Sequence, residues 1–108
     1  MKTWRVRYAP PARDDLNAIL MYVAERAGVD VALGFVSRLR RACDDLSTAP
    51  LRGTARDDLR PGLRTVGVER RATILFYVRA DEGEVIILGV VYGGRDLGTI
   101  LRQPGRTG

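Results

Sequence analysis

Histidine is absent from this chain, cysteine occurs once and serine only twice. Without histidine the commonest general base and metal ligand at neutral pH is missing. The lone Cys43 excludes an intramolecular disulfide and a thiolate cluster, and it fits a reducing compartment. Ser37 and Ser47 stand in no nucleophile context, and there is neither a G-x-S-x-G turn nor a Gly-rich phosphate loop. Standard hydrolase and metalloenzyme mechanisms are therefore poorly supplied, and no catalytic residue, no metal ligand and no cofactor is expected. No apolar run approaches the roughly 20 residues of a membrane span. Met1-Lys2 leads at once into the alternating Trp4-Arg5-Val6-Arg7-Tyr8 rather than into an apolar leader. A soluble cytoplasmic protein without membrane contact is the expectation.

Lysine is almost missing too: 17 of the 18 basic residues are arginine, and the net charge is +5. One reading is codon bias in a GC-rich genome plus a solvated surface. The other is a surface for an acidic partner, because guanidinium pairs carboxylates and phosphates in a planar, bidentate way. Either way the charge biases encounters toward acidic proteins or nucleic acid. The 108 residues suit one domain with a single modest core.

Glu84 to Leu101 organises the rest. Val85 to Tyr92 is nearly all apolar and rich in β-branched residues, as in a strand buried on both faces, and it is expected to be the innermost strand. Gly93-Gly94 breaks it, and Leu97, Ile100 and Leu101 at helical spacing predict a short C-terminal helix.

Upstream, Trp4, Val6 and Tyr8 alternate with arginines, which predicts a half-buried strand near a sheet edge. Ala12, Leu16, Ile19, Leu20, Val23 and Ala27 predict an amphipathic helix from about Pro11 to Arg26, with Asp14 and Asp15 in its first turn and Gly28 as its stop. Tyr22 either closes the rim of the core or is covered by a partner. Asp30 is a candidate cap for a second helix, whose buried stripe is Ala32, Phe35, Leu39, Ala42, Cys43 and Leu46. Cys43 on that stripe reads as a core thiol. About three residues join the helices, so an antiparallel hairpin is expected. Residues 51–62 read as a loop with one turn near Arg56–Arg60. Leu63–Val68 and Ala72–Arg79 alternate as strands, and Asp81-Glu82-Gly83 marks a hairpin into the last strand.

The fold class is therefore α+β in the order β-α-α-β-β-β: an N-terminal αα-hairpin packed on a small, mainly antiparallel sheet, then a short C-terminal helix. The first strand is expected beside the apolar strand. The second sheet face is expected to lack full cover, with Leu75 and Tyr77 on the open side. One domain over 1–108 is expected, with 103–108 as a flexible tail.

These residues carry a family resemblance. The first helix reads Ala12-Arg13-Asp14-Asp15-Leu16-Asn17-Ala18-Ile19-Leu20-Met21-Tyr22, an A-x-x-D-L-x-x-I-x-x-Y pattern. Ala49-Pro50, Gly53, Arg56-Asp57-Asp58-Leu59-Arg60-Pro61-Gly62-Leu63-Arg64, Ile74 to Val78 and Gly94-Arg95-Asp96-Leu97 follow in order. Over about residues 3 to 102 the chain resembles the ParE branch of the ParE/RelE toxin superfamily. The resemblance implies the toxin of a type II toxin–antitoxin module, associated with plasmid stabilization. It implies inhibition of DNA gyrase and neutralisation by a ParD-like antitoxin in a hetero-oligomer. That antitoxin dimerises through a DNA-binding ribbon-helix-helix half and folds its C-terminal half around the toxin, so DNA is reached only through it. The RelE-like alternative is a ribosome-dependent mRNA endoribonuclease. The strand position where that branch would place an arginine reads Ile74, and the C-terminal helix offers Ile100 and Leu101 where a tyrosine is wanted. An inactive relative that only binds antitoxin is the third reading.

Ile19, Tyr22, Leu75, Arg64 and Arg95 are the candidate antitoxin contacts. Arg70, Arg71 and Arg95 are the candidate target contacts. The plainer reading makes Arg95 one half of a surface ion pair and Arg70-Arg71 a solvated turn.

Overall fold

A computed structural model describes residues 3–106. Five strands form one sheet: β1 (Arg5–Tyr8), β2 (Thr54–Ala55), β3 (Leu63–Val68), β4 (Ala72–Arg79) and β5 (Glu84–Tyr92), in the spatial order β1-β5-β4-β3-β2. β5 pairs parallel with β1 and antiparallel with β4, and the remaining pairs are antiparallel. The fold is α+β, as the residue pattern predicts. β4, not β5, is the middle strand, although β5 is the one whose interior is buried throughout.

A bulge explains how β5 serves two cores. Leu75 pairs with Gly89 but Phe76 with Ile87, so Leu88 has no opposite number. The extra residue resets the alternation of side chains. Val85, Ile87 and Val90 join the core under the helical hairpin, while Ile86, Leu88 and Val91 join a second core on the other face.

The hairpin is α1 (Pro10–Ala27) and α2 (Val29–Asp44). Ala12, Leu16, Ile19 and Val23 of α1 pack with Phe35, Leu39 and Cys43 of α2 on the sheet. Gly28 alone joins the helices. At φ 96° it reverses the chain, donating to the Ala24 carbonyl and serving as N-cap of α2. A left-handed glycine does in one residue what a three-residue join was expected to do. Asp30 therefore lies inside the first turn of α2 and is not its cap. Likewise α1 starts at Pro10, since proline needs no hydrogen-bond acceptor there. Asp14 and Asp15 thus fall beyond its first turn.

The second face is not open. α3 (Leu97–Leu101) lays Ile100 and Leu101 on Leu63, Leu75, Ile86, Leu88 and Val91. Asp96 starts it, accepting from Gly98 N–H and the Thr99 hydroxyl, both at 3.0 Å. These bonds hold the Asp96 carboxyl below the usual carboxylate range. Leu75, expected on an open side, is fully buried under this cover.

Nor do residues 103–106 fray; positions 107 and 108 lie outside the described residues. The Arg106 side chain is 6% exposed and forms a bidentate pair with Asp15 of α1, at 2.6 and 2.8 Å. It also donates to the Leu88 carbonyl at 3.1 Å, while Val90 N–H donates to Asp15 at 2.9 Å. The ion pair thus satisfies backbone groups on both sides of the β5 bulge. Gly89 lies between them, where an added Cβ would sit 2.6 Å from Arg106. Arg60 then fastens the backbone, donating to the Arg106 and Leu101 carbonyls at 2.7 and 2.8 Å. Residues 103–106, which include Pro104 and Gly105, are held here by one arginine whose buried charge has a partner.

Candidate functional site

Where β5 ends, three aromatic rings from three elements meet. Tyr92 lies 5.5 Å from the Tyr22 ring of α1 and 5.8 Å from Phe35 of α2, in tilted and edge-on arrangements. Guanidinium groups flank them. Arg26, one helical turn beyond Tyr22, lies 4.1 Å from its ring centre. Arg38 and Arg71 each lie 5.8 Å from Phe35. Such placements gain cation–π attraction of about 0.5–1 kcal/mol at exposed sites.

The β3–β4 turn brings Arg70 and Arg71 to this end. Arg71 N–H donates to the Val68 carbonyl at 3.0 Å, closing the turn. Its two central residues, Glu69 and Arg70, have φ of 54° and 57°. Such turns favour Asn-Gly, and the left-handed conformation costs a side-chain-bearing residue roughly 1–2 kcal/mol. Glu69 is held there by a bidentate pair with Arg38 of α2. That pairing draws the Glu69 carboxyl below the usual carboxylate range. Gly93 N–H donates to the Arg71 carbonyl at 2.8 Å, so the turn and the exit of β5 are tied together.

Two adjoining hollows result, sharing Tyr92 and Gly93. One, of about 390 Å³, lies between α1 and β5, with Ile19, Tyr22, Val90, Asp15 and Arg95 among its walls. The other, of about 450 Å³, is bounded by Gly67, Arg70, Arg71, Thr73 and Gly94. The first joins an apolar floor to a cationic lip, suited to an apolar anchor with acidic neighbours. The second collects arginine. The nearby carboxylates are engaged: Asp15 with Arg106, Glu69 with Arg38, Asp96 in its cap. No cluster of metal-ligating side chains occurs among the described residues.

The structure thus gathers Tyr22, Ile19, Arg95, Arg70 and Arg71 at one end of the molecule. Tyr22 is 43% exposed at the rim, whereas Ile19 is 5% exposed and lines the floor. Arg95 has no ion-pair partner among the described residues, so the plainer reading of a surface pair with Asp96 or a nearby loop carboxylate does not hold. Two candidates stand apart. Arg64, toward the opposite end of β3, bonds the Leu51 carbonyl at 2.6 Å and those of Arg52 and Gly53 at 3.4 Å, so its side chain shapes the 51–53 loop. Leu75 is enclosed by α3 and offers no surface. Sequence reading missed Tyr92, Arg26 and the Arg38–Glu69 pair. Arg26 was accessible in principle as the i+4 neighbour of Tyr22; the Arg38–Glu69 pair spans 31 positions and had no local signal.

Away from this end, Cys43 is fully buried, and burial pushes its thiol up to about 12. Burial also raises the neighbouring Tyr8 phenol. This is an unreactive core thiol.

Residues 6–97 match the family model described as the ParE toxin of the type II toxin–antitoxin system parDE. Toxin ParE3 of Caulobacter vibrioides is 34% identical over 93 residues, covering 86% of this chain and 90% of that protein. Toxin ParE1 of Mycobacterium tuberculosis is 30% identical over the same length, covering 86% and 93%. Among solved structures, the chromosomal ParDE system of P. aeruginosa superposes with a TM-score of 0.74 at 25% identity, covering 85% of this chain and 98% of that one. The RelBE2 toxin–antitoxin complex of Mycobacterium tuberculosis gives 0.63 at 20% identity, over 88% and 97%, which is a likeness of fold. On the strength of the family match and these relatives, the chain belongs to the ParE toxin family of type II toxin–antitoxin systems.

Proposed function

We propose that this protein arrests its host by inhibiting DNA gyrase without catalysing a reaction, and that a ParD-like antitoxin neutralises it in the cytoplasm. Membership of the ParE family carries the toxin part of this reading. The paired hollow at Tyr92–Gly93 carries the partner part. Ile19 and Tyr22 supply an apolar seat, and Arg95 supplies charge for an acidic segment that orders as it binds. Arg70 and Arg71, on the adjoining hollow, are the contacts assigned to the target. Overlap at Tyr92 and Gly93 makes antitoxin and target compete, which is how binding neutralises. Among the described residues no helix is long and apolar enough to cross a membrane.

The ribonuclease reading has less to draw on. Ile74, at the strand position where that chemistry would use arginine, is fully buried in the core beneath the hairpin. The two readings separate in cells. Induced expression is expected to stop growth and raise the DNA-damage response while transcripts stay intact. Co-expression of a ParD-like ribbon-helix-helix antitoxin is expected to restore growth. Codon-specific transcript cleavage with a silent damage response would favour the ribonuclease.

A further inference from the structure

We propose that the β3–β4 turn, through Arg70 and Arg71 together with Arg95 and Arg26, contacts the phosphodiester backbone of duplex DNA directly.

Four observations carry this. First, none of these arginines forms an ion pair among the described residues, Arg71 sensing Glu69 only beyond ion-pair distance, while the carboxylates around them are bonded to other groups. The surface is cationic and uncompensated, and charge-assisted bonding by guanidinium suits phosphate oxygens. Second, Arg70 occupies a left-handed conformation that glycine or asparagine would adopt more readily, so the turn carries side chains where the backbone favours none. Third, Glu69, the one acid in the turn, is bonded to Arg38 of α2, with Arg71 contributing only a weaker, longer-range attraction. Fourth, most of the aromatic surface here is occupied, with Tyr22 alone keeping 43% exposure. Arg26 covers Tyr22, Tyr92 packs against both Tyr22 and Phe35, and Phe35 is fully buried. Single-stranded nucleic acid is held by bases stacked on open rings. This end presents several guanidinium groups and a single half-open ring, which fits an intact duplex read by charge rather than a row of stacked bases.

The contact goes beyond the gyrase reading and does not depend on it, since duplex binding and gyrase inhibition are separable; it also departs from the expectation that DNA is reached only through the antitoxin. If gyrase is the target, the same arginines would engage the DNA that the enzyme holds, in addition to any protein surface.

The test measures binding of the purified full chain to a short fluorescent DNA duplex by anisotropy, across a salt series. Arg70→Ala/Arg71→Ala is compared with Arg13→Ala/Arg52→Ala, which removes the same charge from exposed positions elsewhere. Loss of two phosphate contacts is expected to flatten the slope of log K against log salt by about 1.8, at roughly 0.9 per contact. The Arg13/Arg52 variant is expected to retain the parent slope, and Arg70→Lys/Arg71→Lys to recover most of it. Circular dichroism of each variant should match the parent. Equal flattening in both double alanine variants would reduce the effect to net charge and overturn the proposal. So would preferential binding of single-stranded RNA, or a turn variant that loses antitoxin affinity but keeps the DNA slope.

Discussion

Arg106→Ala is the sharpest perturbation of the fold. In the parent, Arg106 makes two charge-assisted bonds to Asp15, one to the Leu88 carbonyl and two to Gln103. The side chains of the pair are 6% and 18% exposed, so solvent screens it little. Removing one partner of a buried pair costs about 3–5 kcal/mol, because the other charge is left unpaired. Asp15 would keep its bond from Val90 N–H and some contact with water, which places the cost near the lower end, about 3 kcal/mol. For a domain of about 100 residues, at 4–8 °C per kcal/mol, that is a fall in Tm of roughly 12–24 °C. Urea unfolding of Arg106→Ala, Asp15→Ala and the double variant forms a cycle, and a coupling of about 2 kcal/mol or more is expected for groups in direct contact. A loss below about 1 kcal/mol, the range of an exposed ion pair, would refute the account of a buried clasp on the β5 bulge.

Three further outcomes follow from the geometry. Gly89→Ala would drive a methyl group to within 2.6 Å of Arg106 and 3.2 Å of Asp15, and should lower stability by about 1–3 kcal/mol in the same urea assay. Arg70→Gly should raise stability by about 1 kcal/mol by relieving the left-handed backbone, while weakening DNA binding, a trade expected where a strained turn serves function. Cys43 should resist iodoacetamide at pH 8 in the folded protein and react on unfolding. Since its folded pKa is raised from 9.0 to about 12, the unfolded thiol ionises first. Its contribution to stability is then full below pH 9 and lost as pH rises from 9 toward 12, a slope that Cys43→Ala should reduce.

The fold was legible because its main signals are periodic. The alternation of Ala72–Arg79 and the stripe of Leu16, Ile19 and Val23 each identify an element without tertiary knowledge. What was not legible depends on contacts across long stretches of chain. The bulge at Leu88 moves Val90 to the opposite face from that of strict alternation, and no local residue marks it, because Gly89 sits inside an apolar run. The cover over Leu75 comes from α3, whose apolar residues were visible but whose docking face was not. Arg106 follows Gln103-Pro104-Gly105, a sequence that reads as a loose end until Asp15 is seen 91 positions away. At the candidate site, Arg70, Arg71 and Arg95 could be singled out by their place near strand ends. Their convergence with Tyr22 on Tyr92 required the sheet order and the turn of Glu69 back to Arg38.

The reading of this protein as a gyrase-directed toxin is tested most directly by a supercoiling assay with purified gyrase and relaxed plasmid. Wild-type protein is predicted to block supercoiling, Arg70→Ala/Arg71→Ala to block it weakly, and prior addition of a ParD-like ribbon-helix-helix antitoxin to abolish the block. Undiminished supercoiling at a large excess of folded wild-type protein, with messenger RNA cleaved in a translating extract by the same preparation, would contradict the account.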